Sequence, residues 1–264
     1  MDSADSNFKA SFIGIGDQGR ETGRHVLSEF NDLIKYFQKY REDDPNFSIG
    51  NESPQLTVLS LKENSDESIR ELPYQDIIFL LGSQENPLFW ATRDKVISGN
   101  KCSFLFTLVL SGNGDVGCRG QASNNESIIF FKKNDSEKQI TKFVKDMCRV
   151  WIFPRLLSCD FSCMINILSS TKGERLSFES QTADCLPSFL QFLSDNRETI
   201  KRASGIFYIV SSNLGNDFSI RNHLQPVIEE IENAANGECT VIGSDSLYAE
   251  KEASFRVTMI CGEK

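Results

Sequence analysis

The run Phe8–Ile15 is apolar and β-branched, closes on Gly14-Ile15-Gly16-Asp17-Gln18-Gly19, and passes directly into a helical pattern. That order leaves few folds open. A short apolar run without polar alternation reads as a strand covered on both faces, the habit of parallel sheets. Glu21–Tyr40 then has helical spacing, with Val26, Leu27, Phe30, Leu33, Ile34 and Phe37 on one side. Strand, glycine turn and amphipathic helix make the first part of a βαβ unit. The expected class is therefore α/β, with a parallel Rossmann-type sheet flanked by helices.

The rest of the chain repeats the alternation. Leu56–Leu61, Tyr74–Leu81, Cys102–Leu110 and Ile128–Phe131 read as strands, with a short helix at most over Trp90–Ile97. Arg41–Pro54 and Ser111–Asn125 are rich in turn formers and read as loops. Ser136–Phe153 is helical, with Ile140, Phe143, Val144, Met147, Val150 and Trp151 on one face, Ser136 placed to cap it and Pro154 to stop it. A shorter helix is expected over Phe161–Ser170, strand and loop over Gly173–Thr182, and a helix over Leu186–Asp195. The pattern ends with strand Gly205–Ser211, helix Ser219–Ala235, and strands Cys239–Ser244 and Phe255–Cys261. A chain of 264 residues suits one large α/β domain or two small ones.

Composition narrows the function classes. The net charge of −9 argues against a nucleic-acid surface, which needs clustered Lys and Arg. It does not exclude a nucleotide held by backbone amides. No apolar run approaches the length of a membrane span. Met1–Asn7 is polar and acidic, without the pattern of a secretory signal, so a cytoplasmic location with reduced thiols is expected for the eight cysteines. Cys159 and Cys163 do not form a CxxC pair, and His25 and His223 lie near no other ligand in the sequence, so no metal is expected. Both histidines read as surface residues, and nothing resembles the GxSxG of a serine hydrolase.

The glycine turn admits three readings. Gly14, Gly16 and Gly19, with Asp17 and Gln18 between them, match the literal GxGxxG of a dinucleotide site. A nicotinamide-dependent oxidoreductase would also need an acidic residue closing the second strand, about 20 residues on. Here that strand ends near Leu61, much later, and Lys62 follows. The second reading is a phosphate loop for another nucleotide. The third is packing alone, since tight strand-to-helix turns use glycine without any ligand.

Several segments resemble the tubulin/FtsZ family. Ala203-Ser204-Gly205-Ile206-Phe207-Tyr208-Ile209, Leu214-Gly215 with Asp217-Phe218-Ser219, Thr240-Val241-Ile242-Gly243 and Phe255-Arg256-Val257-Thr258-Met259-Ile260 are similar, in order and spacing, to the C-terminal domain of FtsZ. Leu156–Met164 resembles the family's catalytic loop, Asn-x-Asp-Phe-x-Asp, with Ser158 at the Asn position, Asp160 kept as the first Asp, and Cys163 at the second. A neutral thiol cannot orient water as a carboxylate does. Gly82-Ser83-Gln84-Glu85-Asn86-Pro87-Leu88-Phe89 stands where the family has GGGTGTG, and only Gly82 remains.

The resemblance implies a trimmed nucleotide-binding-like domain over 1–135, a central helix with a catalytic-loop remnant over 136–160, and a C-terminal FtsZ-like domain over 161–264. It implies a cytoskeletal or scaffold protein without GTPase activity, working through contact with itself or with a true FtsZ- or tubulin-like partner. No cofactor is then expected. The alternative is a weak GTP-binding GTPase, with GTP or GDP on Gly14, Gly16, Asp17, Gln18, Gly19 and Gly82, and Asp160 as the catalytic remnant. Phe89 and Trp90 are expected as exposed or half-exposed aromatic anchors of an interface, with inward packing of Trp90 into a vacated pocket as the other outcome.

Overall fold

A computed structural model of the protein describes residues 8–43, 54–61, 66–111, 121–132, 136–152, 159–180, 186–212, 219–247 and 255–263. The chain divides into two compact units, Asp5–Ile152 and Phe153–Lys264.

The first unit alternates strand and helix: β1 (Lys9–Ile15), α1 (Gly16–Asp43), β2 (Gln55–Leu61), α2 (Asp66–Glu71), β3 (Gln75–Ser83), α3 (Pro87–Ser98), β4 (Cys102–Ser111), β5 (Glu126–Lys132) and α4 (Ser136–Ile152). Its strands run parallel in the order β2-β1-β3-β4-β5. The central strands are buried almost throughout, which is why β3 and β4 read as unbroken apolar runs. One face of the sheet carries α2 and α3 over Ile13, Ile15, Ile78, Leu80 and Val109. On the other, Phe79 stacks on Phe106 at 5.4 Å and Phe143 of α4 meets both rings edge-on.

The second unit contains α5 (Phe161–Leu168), β6 (Thr171–Ser180), α6 (Leu186–Asp195), α7 (Arg197–Arg202), β7 (Gly205–Ser212), α8 (Ser219–Ala234), β8 (Thr240–Leu247) and β9 (Phe255–Glu263). The strand order here is β6-β9-β7-β8. β9 is antiparallel to both β6 and β7, whereas β7 and β8 are parallel. Phe189, Leu193, Ile200 and Ile231 of the helices pack on Tyr208, Val257 and Met259.

The elements follow the sequence pattern with four differences. α1 begins inside the glycine turn and runs on through Asp43, so Arg41–Asp43 are helix rather than loop. α3 is 12 residues long and starts at Pro87, whose missing N–H costs nothing at a first helical position. β6 is a full strand of ten residues. The short helices α2 and α7 have polar sequences of six residues, too short for a period to be read. Most of Ser111–Asn125, all of Leu214–Phe218, and Ser158 lie outside the described residues, as does the side chain of His223.

Candidate functional site

In the first unit the chain leaves β1 toward β2 on one side, while β3 lies on the other. Such an order makes a topological switch point, and open α/β sheets bind ligands outside the carboxyl ends of the strands there. Gly14 is paired with Leu81, one residue before Gly82. The turn Gly14–Gly19 and the loop Gly82–Phe89 therefore leave the same end of adjacent strands. The structure brings together Gly14, Gly16, Asp17, Gln18, Gly19 and Gly82.

The turn is built by contact between its own glycines. A Cβ on Gly14 would lie 2.1 Å from the carbonyl oxygen of Gly19, so strand end and helix start touch backbone to backbone. Gly16 has φ +76°, a left-handed conformation, with nothing within 4 Å of its would-be Cβ. Gly16→Ala is therefore expected to cost about 1 kcal/mol from backbone strain alone, read as a lowered urea midpoint. A cost well above that would reveal a steric contact. Asp17 points outward and holds Arg20 at 2.7 Å.

The second loop is closed on itself. The amide of Gln84 donates to Leu110 O at 3.2 Å and that of Asn86 to Ser83 O at 3.0 Å. The Glu85 amide points at Ser83 Oγ, 3.4 Å away. Asn86 caps α3: its Oδ1 accepts from the amide of Leu88 at 2.9 Å and its carbonyl from that of Phe89 at 3.1 Å. Pro87 has no N–H to give. Every amide from Gln84 to Phe89 thus has a partner inside the loop or on β4, where a phosphate cradle would turn such groups outward. Glu85 is exposed at the tip of the loop.

Of the two aromatic residues expected as exposed or half-exposed anchors, Phe89 departs from the expectation and Trp90 does not. Phe89 is completely buried, and its ring lies over Gly82, whose would-be Cβ sits 2.4 Å from Phe89 Cδ2. Trp90 is half-buried, meets Phe89 edge-on at 4.9 Å, and donates its indole N–H to Gln84 O at 2.9 Å. The ring that packs inward is Phe89 and not Trp90, because α3 must cover the apolar face of β3.

Behind the loop, α3 is pinned by a buried ion pair that nothing in the sequence pattern singled out. Arg93 donates through Nε and Nη2 to Glu126 at 2.7 and 2.6 Å. Thr107 Oγ1 and the Ser123 amide complete the carboxylate's shell at 2.6 and 2.8 Å. Burial pushes the Glu126 carboxyl up, but the hydrogen bonds from Arg93, Ser123 and Thr107 outweigh it and hold it below the ordinary carboxylate range. The only readable signal was an acid opening an otherwise apolar strand.

In the second unit, Asp160 is the N-cap of α5. Its Oδ1 accepts from Ser162 Oγ at 2.6 Å and from the amide of Cys163 at 2.8 Å. Those bonds hold its carboxyl at about 2. Hydrogen bonding to Asp160 pushes the Cys163 thiol up, which keeps it neutral.

A parallel sheet with a glycine turn at its switch point, followed by a mixed sheet bearing helices, defines an α/β protein. Comparison with solved structures makes the class specific. A point mutant of FtsZ from M. jannaschii superposes with a TM-score of 0.65, 12% identity, and coverage of 97% of this chain and 91% of that one. TubZ from Bacillus thuringiensis serovar israelensis, in its GDP-form protofilaments, superposes with a TM-score of 0.60, 11% identity, and coverage of 99% and 88%. A four-stranded TubZ-Bt filament matches with a TM-score of 0.59, 11% identity, and coverage of 97% and 86%. The chain has the tubulin/FtsZ fold. No family model and no curated protein sequence matches it. Among the described residues no helix is long and apolar enough to cross a membrane.

Proposed function

We propose that the chain is a cytoskeletal or scaffold protein of the tubulin/FtsZ fold that acts by protein–protein contact and does not hydrolyse GTP. Its partner is a second copy or a true FtsZ- or tubulin-like protein. In this reading residues 1–135 are a nucleotide-binding-like domain, 136–160 carry the central helix and the catalytic-loop remnant, and 161–264 form the C-terminal domain. The observation that carries it is the loop Gly82–Phe89, whose amides are committed internally. Phosphoryl transfer depends on positioning and charge stabilisation. Here one loop keeps its donors to itself, and Cys163 stands in place of an acid. Head-to-tail contacts of the kind that build open filaments need no nucleotide if the surfaces match, and the TubZ neighbours are filaments.

The form of the glycine turn favours a second reading, weak binding of GTP or GDP at the start of α1. One set of measurements separates the two. Phosphate release from GTP is expected to stay at background at micromolar protein. Sedimentation and electron microscopy are expected to give the same result with and without GTP, and denatured fresh protein should release no guanine nucleotide. Released guanine nucleotide without turnover would favour the second reading. Steady turnover that disappears in Asp160→Ala would overturn the proposal.

A further inference from the structure

Glu21 and His25 stand four residues apart on α1 and so share one face of that helix. Glu137 comes from the first turn of α4, which packs along α1 in the same unit. The ligating atoms of these three residues lie within 4.8 Å of one another, and His25 Nε2 is 3.0 Å from Glu137 Oε1. The Glu21 carboxylate makes no hydrogen bond or ion pair with any described residue. Further along, the same helix pair is tied by Lys145 and Glu29, 2.6 Å apart.

We propose that Glu21, His25 and Glu137 form a site for a divalent transition metal of the zinc class, which clips α1 to α4. The donor set is one imidazole nitrogen and two carboxylates, a mixture that suits zinc and its neighbours. Calcium and magnesium prefer oxygen alone and more of it. The His25–Glu137 separation is already close to the roughly 3.3 Å edge of a tetrahedron whose bonds are about 2.0–2.1 Å. Glu21 needs only a side-chain rotation to complete the face, and its backbone is held by a long helix. Two carboxylates around one imidazole repel each other, and a dication between them removes that repulsion. With three protein ligands, a position stays open for water or for a group from a partner. The ion would stabilise the first unit by mass action, independently of any nucleotide.

The test uses the whole protein, stripped with a chelator and titrated with Zn²⁺ or Co²⁺. One equivalent should bind, and the melting temperature should rise. His25→Ala and Glu21→Gln, both at exposed positions, should keep the metal-free melting temperature. Each should weaken binding by more than about tenfold, the loss that even an outer partner of a metal ligand can cause. The Co²⁺ complex should lack the intense near-ultraviolet absorption of thiolate ligation, which distinguishes this site from the chain's eight cysteines. Binding that survives both variants, thiolate absorption, or the lack of any saturable site would each overturn the assignment.

Discussion

Phe89→Ala is expected to destabilise the first unit by about 3–5 kcal/mol, the range for removing a fully buried aromatic ring. Phe89 has no exposed surface, and its neighbours leave little room to collapse into the space. On one side the ring rests on the backbone at Gly82. On another it meets Trp90, whose indole is already bound to Gln84 O. The residues beneath it, Ile13, Leu80 and Val96, belong to the core between α3 and the sheet. The mirror-image substitution, Gly82→Ala, should also destabilise, because its methyl would overlap the ring. Trp90→Ala should cost less than Phe89→Ala, since Trp90 is only half-buried. Urea denaturation followed by far-ultraviolet circular dichroism reads all three. A cost below about 1 kcal/mol for Phe89→Ala would mean that the ring is not core. The result bears on the proposed function: a ring held in the core fixes the Gly82–Phe89 loop in the closed form on which that reading rests.

The parts of this fold that could be read from the chain are those whose burial leaves a period. β1, β3 and β4 are covered on both faces, so their apolar runs are continuous. α4 buries one side, and Ile140, Phe143, Val144 and Met147 mark it. The glycine turn was visible because only glycine tolerates the contact between residues 14 and 19. The inward turn of Phe89 was hidden for a different reason. It depends on a glycine seven residues earlier being bare enough to accept a ring, and no periodicity records that. Glu126 was hidden because an acid at the start of a strand normally faces water, and here Arg93, 33 residues away, faces it instead. The cluster of Glu21, His25 and Glu137 was half legible: the spacing of the first two suits one helix face, but the third arrives only through the packing of α4 on α1. What stays local was readable, and what depends on two distant residues meeting was not.

The second large effect is expected at that ion pair. Arg93→Met should cost about 3–5 kcal/mol, because it leaves the Glu126 carboxylate buried without its cation. Glu126 is fully buried, while the Arg93 side chain is only 9% exposed, so solvent cannot replace either partner. Glu126→Gln should be costly too, since the amide cannot accept from Arg93, Thr107 and the Ser123 amide together. The double variant Arg93→Met/Glu126→Leu should be less destabilised than the sum of the single changes, because an apolar pair leaves no orphaned charge. Acidity gives an independent check. The Glu126 carboxyl is held below its ordinary range in the folded protein, so its contribution is complete above the unfolded value of about 4.3 and is lost as pH falls through the folded one. The gap in stability between the native protein and Glu126→Gln should therefore be constant near neutrality and narrow only below about pH 4. Asp160 also holds its proton weakly, but it is common to both proteins and cancels in the difference. A gap that narrowed with rising pH instead would mean that burial, and not Arg93, governs the carboxyl. The pair matters beyond its energy. It ties α3 to the start of β5, and α3 begins with the Asn86 cap that keeps the Gly82–Phe89 loop closed.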